Sequence, residues 1–333
     1  MVSLALRCFF FALLCSGLLI LCSPAFPFGF YAHRKINRLA VFTLPPEMLF
    51  FYKPHADFLS ERSVDPDRRA HAVKGEAQRH YIDIDHYGDR PFDQVPRQWA
   101  EAVGRFTEDT LQAHGVLPWH IFNMSTRLRR AFERRDPEQI LLYSAHLGHY
   151  IADACTPLHT TKYYNGKNPS QRGVHALWES RLPELYASSF RFLTGRAEYL
   201  PDPLDRAWEL IEISHQQIHV IYTVLDSLLE IFPPDRIHGY EMRGQALQRV
   251  YSLPFSESFQ QGLGGMLESQ MELAVKAVGD FWYTAWVNAG QPDLSSMAGR
   301  RPGLRLRRLI RQQEKQGEQT GRIRGRYPLP DTL

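Results

Sequence analysis

The stretch from residue 137 to residue 154 constrains the fold more than any other part of the chain. Ile140, Leu141, Ala145, Tyr150 and Ile151 recur at helical spacing, and Pro157 supplies a stop a little beyond. The same period returns over about 203–231 and 256–289, with shorter helical patterns at 31–42, 97–113 and about 173–187. Residues 44–90 are rich in Pro, Asp and His and predict loops with short helices, while Asn165-Gly166 and Asn168-Pro169 predict turns. No internal repeat and no convincing run of alternating strands interrupts this pattern. It predicts a single all-α, multi-helix domain over 26–291. A chain of 333 residues, 44% hydrophobic and 12% aromatic, can bury such a core and is not disordered as a whole.

Both ends differ from the body. Arg7 is the only charge in the first 32 residues, and Cys8–Leu21 is apolar apart from Ser16 and Gly17. That run suits a signal peptide and is too short to span a bilayer securely. Ser23 and Ala25 give a small-x-small pattern, so residues 1–25 are expected to be cleaved on export to a periplasmic or extracellular location. Of the four cysteines only Cys155 would remain, leaving no internal disulfide and making metal one candidate staple. At the other end, residues 292–333 predict a loosely attached basic tail. Its last part, 300–333, holds ten Lys/Arg against three acids, so the net +3 of the chain conceals a body of −5. Such a tail can touch an anionic surface, or simply be a solvated segment, which is the preferred expectation. The chain is expected to be a monomer, and nothing in it points to a protein partner.

Chemistry concentrates in the histidines. His149 and Asp153 are four apart on the strongest helix, which puts both side chains on one face. His159 follows six residues later, and His175 with Glu179 repeats the four-residue spacing. Two histidine–carboxylate pairs with a third histidine between them have the residue types of a zinc site. A lone pair of this kind is more often an ion pair or a satisfied core histidine; two within 31 residues shift the balance. His146 also faces that way, as a packing or supporting residue. Upstream stand Asp65-Pro-Asp-Arg68, then His80-Tyr81-Ile-Asp followed by Ile-Asp85-His86, whose polarity alternates as in a short sheet edge, and Phe28 with His33 near the expected mature start.

This ordered set resembles the superfamily of zinc-dependent phospholipases C and fungal single-strand-preferring nucleases, over about residues 28–290. The resemblance implies an all-α fold with a metal cluster in a cleft holding Zn²⁺, two ions and a third. Asp65, His80, His149 and Asp153 would hold the first ion; His159, His175 and Glu179 the second; His33, Asp153 and the amino-terminal residue the third, so that Asp153 would bridge two. The family's terminal Trp is replaced here by Phe28, and cleavage after Ala25 would leave Phe26-Pro27 ahead of it, which makes the third ion depend on further trimming.

Clustered zinc suits phosphoester hydrolysis by activated water, and neither a Gly-x-Ser-x-Gly elbow nor a phosphate-cradling Gly-rich loop is present. Asp65 can accept a hydrogen bond from the attacking water. Arg68 resembles the nuclease branch's charge-stabilising arginine, a guanidinium able to hold two phosphate oxygens. Tyr81 can line a base- or headgroup-binding wall. The expectation is a secreted zinc-dependent phosphodiester hydrolase, nuclease-like toward single-stranded nucleic acid or nucleotides. A phospholipase C acting on phospholipid headgroups is the first alternative, and a catalytically silent zinc-binding structural protein the second.

Overall fold

In a computed structural model, residues 30–70, 72–243, 246–297 and 303 are described. The expected signal peptide, Phe28 and nearly all of the basic tail lie outside them. The chain opens with α1 (Phe30–Ala40), then three short helices: α2 (Pro46–Tyr52), α3 (Ala56–Arg62) and α4 (Asp65–Ala70). The alternating segment after His80 is no strand. Its backbone turns through a 3₁₀ helix at Ile84–Tyr87.

Where one helix is expected over 97–113 there are two, α5 (Trp99–Phe106) and α6 (Glu108–His114). Thr107 breaks them: it adopts a φ of 66°, and its hydroxyl accepts from the Thr110 amide to cap α6. Helix α7 (Leu117–Glu133) adds 17 residues that the apolar periodicity did not mark. Leu117, Ile121, Met124, Leu128 and Phe132 form its buried stripe, yet buried His120 and Ser125 interleave with them and blur the signal.

Helix α8 (Pro137–Ala154) has the boundaries its sequence predicts. Asp136 accepts from the amides of Glu138 and Gln139, and Pro137 takes the first position, where its missing N–H costs nothing. Fourteen of its 18 residues are buried, which makes it a central helix rather than a surface one.

Next comes α9 (Val174–Ala176), which runs through a π-helical turn over Leu177–Arg181 into α10 (Leu182–Tyr186). Then α11 (Pro203–His215) and α12 (Ile218–Ile231) divide the long periodic stretch. The one departure from an all-helical chain among the described residues is an antiparallel hairpin, β1 (His238–Arg243) with β2 (Ala246–Tyr251), in register His238↔Tyr251 and Met242↔Leu247. Its strands hold almost no β-branched residues, so neither shows the usual strand signature. Helices α13 (Leu253–Gly262) and α14 (Met266–Asn288) close the domain. Central α8 packs against α1, α3, α7, α11 and α14, and α14 is laid across α1 and α7 as well. The fold is thus all-α, a mostly helical single domain. No described helix is long and apolar enough to cross a membrane.

One glycine sets the spacing between α1 and α8. A Cβ on Gly148 would stand 2.2 Å from Asn37 Oδ1, so α1 can lie this near α8 only because residue 148 has no side chain.

Candidate metal centre

Histidines and carboxylates from α8 and five other segments converge on one site. His149 and Asp153 come from the last turns of α8, His33 from α1 and Asp67 from α4. His80 ends a 3₁₀ turn at Ala77–Arg79, His159 lies in another at Pro157–Thr160, and His175 and Glu179 lie on α9 and the π-turn. The short pieces hold each other: the Ile82 amide donates to the His159 carbonyl at 2.9 Å, and Leu117 and Val116 donate to Tyr81 and Gln78. His159 Nδ1 lies 2.5 Å from the His80 carbonyl, so Nδ1–H donates there and Nε2 is turned toward the carboxylates.

Four overlapping groups of ligand atoms adjoin one another. In the first, His80 Nδ1 and His149 Nε2 are 3.0 Å apart, and Asp153 Oδ2 is 3.0 and 3.3 Å from them. Asp67 Oδ1, 3.7 Å from His80 and 3.5 Å from His149, belongs to the fourth group, with His33 and His149. In the second, His175 Nε2 is 3.0 Å from His159 Nε2, and Glu179 Oε2 is 2.8 and 3.4 Å from the two. In the third, His33 Nε2 is 3.5 Å from Asp153 Oδ1 and 3.3 Å from Glu179 Oε1. Asp153 and Glu179 therefore each turn one oxygen to one group and the second oxygen to another.

These separations suit a metal. With bonds of about 2.0–2.2 Å, neighbouring ligand atoms of a tetrahedral ion stand about 3.3–3.6 Å apart. Ring nitrogens meet at 3.0 Å in two of these groups, His80 with His149 and His159 with His175, a spacing that serves a hydrogen bond between imidazoles or two ligands turned to one ion. Buried atoms with no hydrogen-bond partner cluster here too, among them Asp153 Oδ1 and His80 Nε2. His33, His80, His149, Asp153, His159 and Glu179 are all buried, and His175 is partly so.

The electrostatics agree. Burial alone would lower the pKa of His33, but its hydrogen bond to Glu179 and the charges of Asp153 and Asp67 carry it up to about 9. His159 likewise rises to about 9, burial being outweighed by Asp153 and Glu179. Burial would raise the Asp153 carboxyl, yet the facing His149 and His159 hold it well below the usual range, and His159 and His175 do the same for Glu179. The negative potential that keeps buried imidazoles protonated is the potential a divalent cation would meet.

Several expected residues stand elsewhere. Asp65 belongs to none of the four groups among the described residues. Arg68 Nη1 donates to it at 3.1 Å, Arg62 is 3.4 Å away, and His146 Nε2 is 3.8 Å from its other oxygen. Asp67, two residues further round the same helix, points to the opposite side and takes the ligand position. Arg68 is engaged with Asp65 and lies over the Phe30 ring, 5.5 Å from its centroid. Tyr81 is 9% exposed and donates its hydroxyl to the Ala113 carbonyl. Phe28 lies outside the described residues. The sequence did not single out Asp67 or the second bridging oxygen of Glu179; choosing 67 over 65 requires knowing the helical phase of α4.

The chain matches no family model and none of the curated proteins compared with it.

Proposed function

We propose that this protein is a zinc-dependent phosphodiester hydrolase, with single-stranded nucleic acid or nucleotides as its favoured substrate. The observation that carries this is the pair of carboxylates, Asp153 and Glu179, that link three adjoining ligand groups. Divalent ions held there would supply Lewis acidity, yielding hydroxide from water near neutral pH and neutralising a phosphodiester's charge. The ligand set contains three carboxylates, Asp67, Asp153 and Glu179, and otherwise imidazoles, which would be neutral once they bind metal. Two or more divalent cations would turn its net charge positive, which selects an anionic substrate. His159 Nε2 is presented by the bond of Nδ1 to His80, and the His80 loop is fixed in turn by the amide of Ile82. Arg68 keeps donors beyond the one given to Asp65, so it can face a phosphate oxygen from the edge of the site.

A phospholipase C reading has one observation of its own. Tyr240, Met242 and Leu247 on the hairpin are each at least 64% exposed, an apolar tip of the kind that can enter a lipid surface. The deciding experiment is to purify the protein, count zinc per chain, and assay single-stranded DNA, RNA, 3′-nucleotides and phosphatidylcholine side by side. Zinc with cleavage of the nucleic acids is the expected result. Cleavage of phosphatidylcholine alone would transfer the assignment to the second reading, and a chain with neither zinc nor phosphoesterase activity would refute both.

A further inference from the structure

A pocket of about 190 Å³ lies between the α9 segment and the hairpin. Arg172, Arg181, Arg249, His238 and Tyr251 line it, together with Ala176. Three guanidinium groups at one concavity run against the sign of the body, which is net acidic outside the leader and tail. Arg181 is buried, and its Nη1 and Nη2 take both oxygens of Glu241 at 2.8 and 2.7 Å while Nε bonds Ser256. Of its five N–H groups, two remain beyond those three bonds. Arg172 and Arg249 are exposed and have no carboxylate partner among the described residues. Glu241 therefore neutralises one of the three guanidinium groups and leaves two.

Polar groups on the walls add donors of the same kind. Arg249 Nη2 lies 3.0 Å from His238 Nδ1, so the arginine donates to that nitrogen and Nε2–H of His238 is left to donate elsewhere. Tyr251 donates to the Arg172 carbonyl at 3.2 Å, which ties the hairpin to the turn that begins α9. Gly173, with a φ of 99°, makes that turn, and its position would bring a Cβ within 3.4 Å of the Tyr251 ring. The pocket thus has a built floor and several convergent donors and no uncompensated acid on its walls. Its position is equally telling. Ala176 follows His175 directly and Arg172 precedes it by three residues, so the pocket wall is continuous in sequence with a metal-group histidine.

We propose that this pocket binds a phosphate oxyanion, and that its natural occupant is a second phosphate of a nucleic-acid strand whose scissile phosphate lies at the metal centre. Guanidinium forks bind phosphate oxygens in pairs, and a site that holds the flanking phosphate would favour a chain over a mononucleotide. The choice of nucleic acid rests on the proposed nuclease activity; the anion pocket itself does not.

The test uses the full zinc-loaded protein and an Arg172→Gln/Arg249→Gln variant, both changes being at exposed positions outside the metal groups. With a single-stranded decanucleotide, KM should rise about 10-fold and the salt dependence of kcat/KM should become shallower by up to about two in slope. Cleavage of a 3′-mononucleotide, kcat and zinc content should stay as in the parent. An unchanged decanucleotide KM in a parent that cleaves nucleic acid would overturn the proposal. If the parent cleaves no nucleic acid, calorimetric titration with inorganic phosphate separates the two failures. A binding event lost in the variant keeps the anion pocket and removes only its nucleic-acid occupant, and indistinguishable titrations overturn the pocket as well. An Arg181→Gln variant serves as the contrast, since it should loosen the hairpin and lower thermal stability, which the exposed double variant should not.

Discussion

Helix α8 presents two polar faces, and they have opposite characters. His149 and Asp153 face the ligand groups, where imidazole nitrogens crowd carboxylate oxygens and buried atoms such as Asp153 Oδ1 have no partner. One step round the helix, His146 and Tyr150 face a network that closes on itself. Arg69 Nη2 donates to Glu76 Oε1 at 3.0 Å and Tyr150 to the same oxygen at 2.5 Å, while Arg79 reaches Oε2 at 2.5 Å. Arg69 Nη1 also lies 3.3 Å from His146 Nε2, and His146 stands by Asp65. Arginines there match carboxylates, so the charge is balanced by the protein's own side chains. At the first face only imidazoles are available to match three carboxylates, and His33 and His159 do so by holding a proton up to about 9. The first has groups that could hold a cation, and the second braces the helix that carries them.

Breaking each face should therefore have a different consequence. Asp153→Ala removes a ligand oxygen from two groups at once. Losing an outer partner of a ligand typically costs 10–100-fold in metal affinity or activity, and losing a shared ligand should cost at least about 100-fold in phosphodiesterase rate. Zinc per chain should fall with it; unchanged zinc would contradict the bridging geometry. Glu76→Ala acts on the other face. Glu76 is 1% exposed, and its removal leaves Arg69 and Arg79 without their partner, which should cost about 3–5 kcal/mol of stability in denaturant unfolding. The folded fraction should keep its zinc. If this variant lost zinc while unfolding at the parent's midpoint, the two faces would not be separable in function.

The same carboxylate sets a pH dependence. Burial would raise the Glu76 pKa, but Arg69 and His80, the Tyr150 hydrogen bond and Arg79 bring it down to about 2 from an ordinary 4.5. A depressed carboxyl stabilises the fold above its unfolded pKa, and that contribution is lost as pH falls from about 4.5 through about 2. Unfolding free energy measured across that window on the metal-free protein should fall more gently in Glu76→Gln than in the parent. Equal slopes would remove Glu76 as the group responsible.

What could be read from the sequence divides along the same line. The ligand face was legible because its residues are paired four apart on helices, His149 with Asp153 and His175 with Glu179, and because chemistry needs just those types at that spacing. Helix α8 was legible to the residue since its apolar period runs over 137–154 and Pro157 supplies a stop beyond it. Asp67 was not, because Asp65 and Asp67 differ only in the phase of a six-residue helix whose start no cap announces. The supporting network was also hidden: Glu76 meets Arg69, Arg79 and Tyr150 across 3 to 74 positions, and only Glu76–Arg79 has local spacing. Helix α7 was obscured by buried polar residues in its apolar stripe, and the hairpin by strands with few β-branched side chains. Tertiary contact, not local preference, decides all of these.

The mildest test concerns the seam between α1 and α8, where the two faces depend on one glycine. Gly148→Ala would place a Cβ 2.2 Å from Asn37 Oδ1 and 2.8 Å from its Cγ. Asn37 is fully buried and its Nδ2 donates to the His33 carbonyl at 3.1 Å, so it cannot simply swing away. Overpacking of this kind costs about 1–3 kcal/mol, but alanine in a helix interior returns roughly 0.8–1.0 kcal/mol relative to glycine. The net loss of stability should be small, no more than about 2 kcal/mol. The sharper effect should be local, because His33 stacks on His149 with ring centroids 4.0 Å apart and moves with α1. Zinc titration should show the weakest site weakened further while the others keep their affinity. Combining the change with Asn37→Ala removes the colliding atoms, so the double variant should recover stability relative to the sum of the two single changes. Additive costs would mean that the close approach does not set the position of His33.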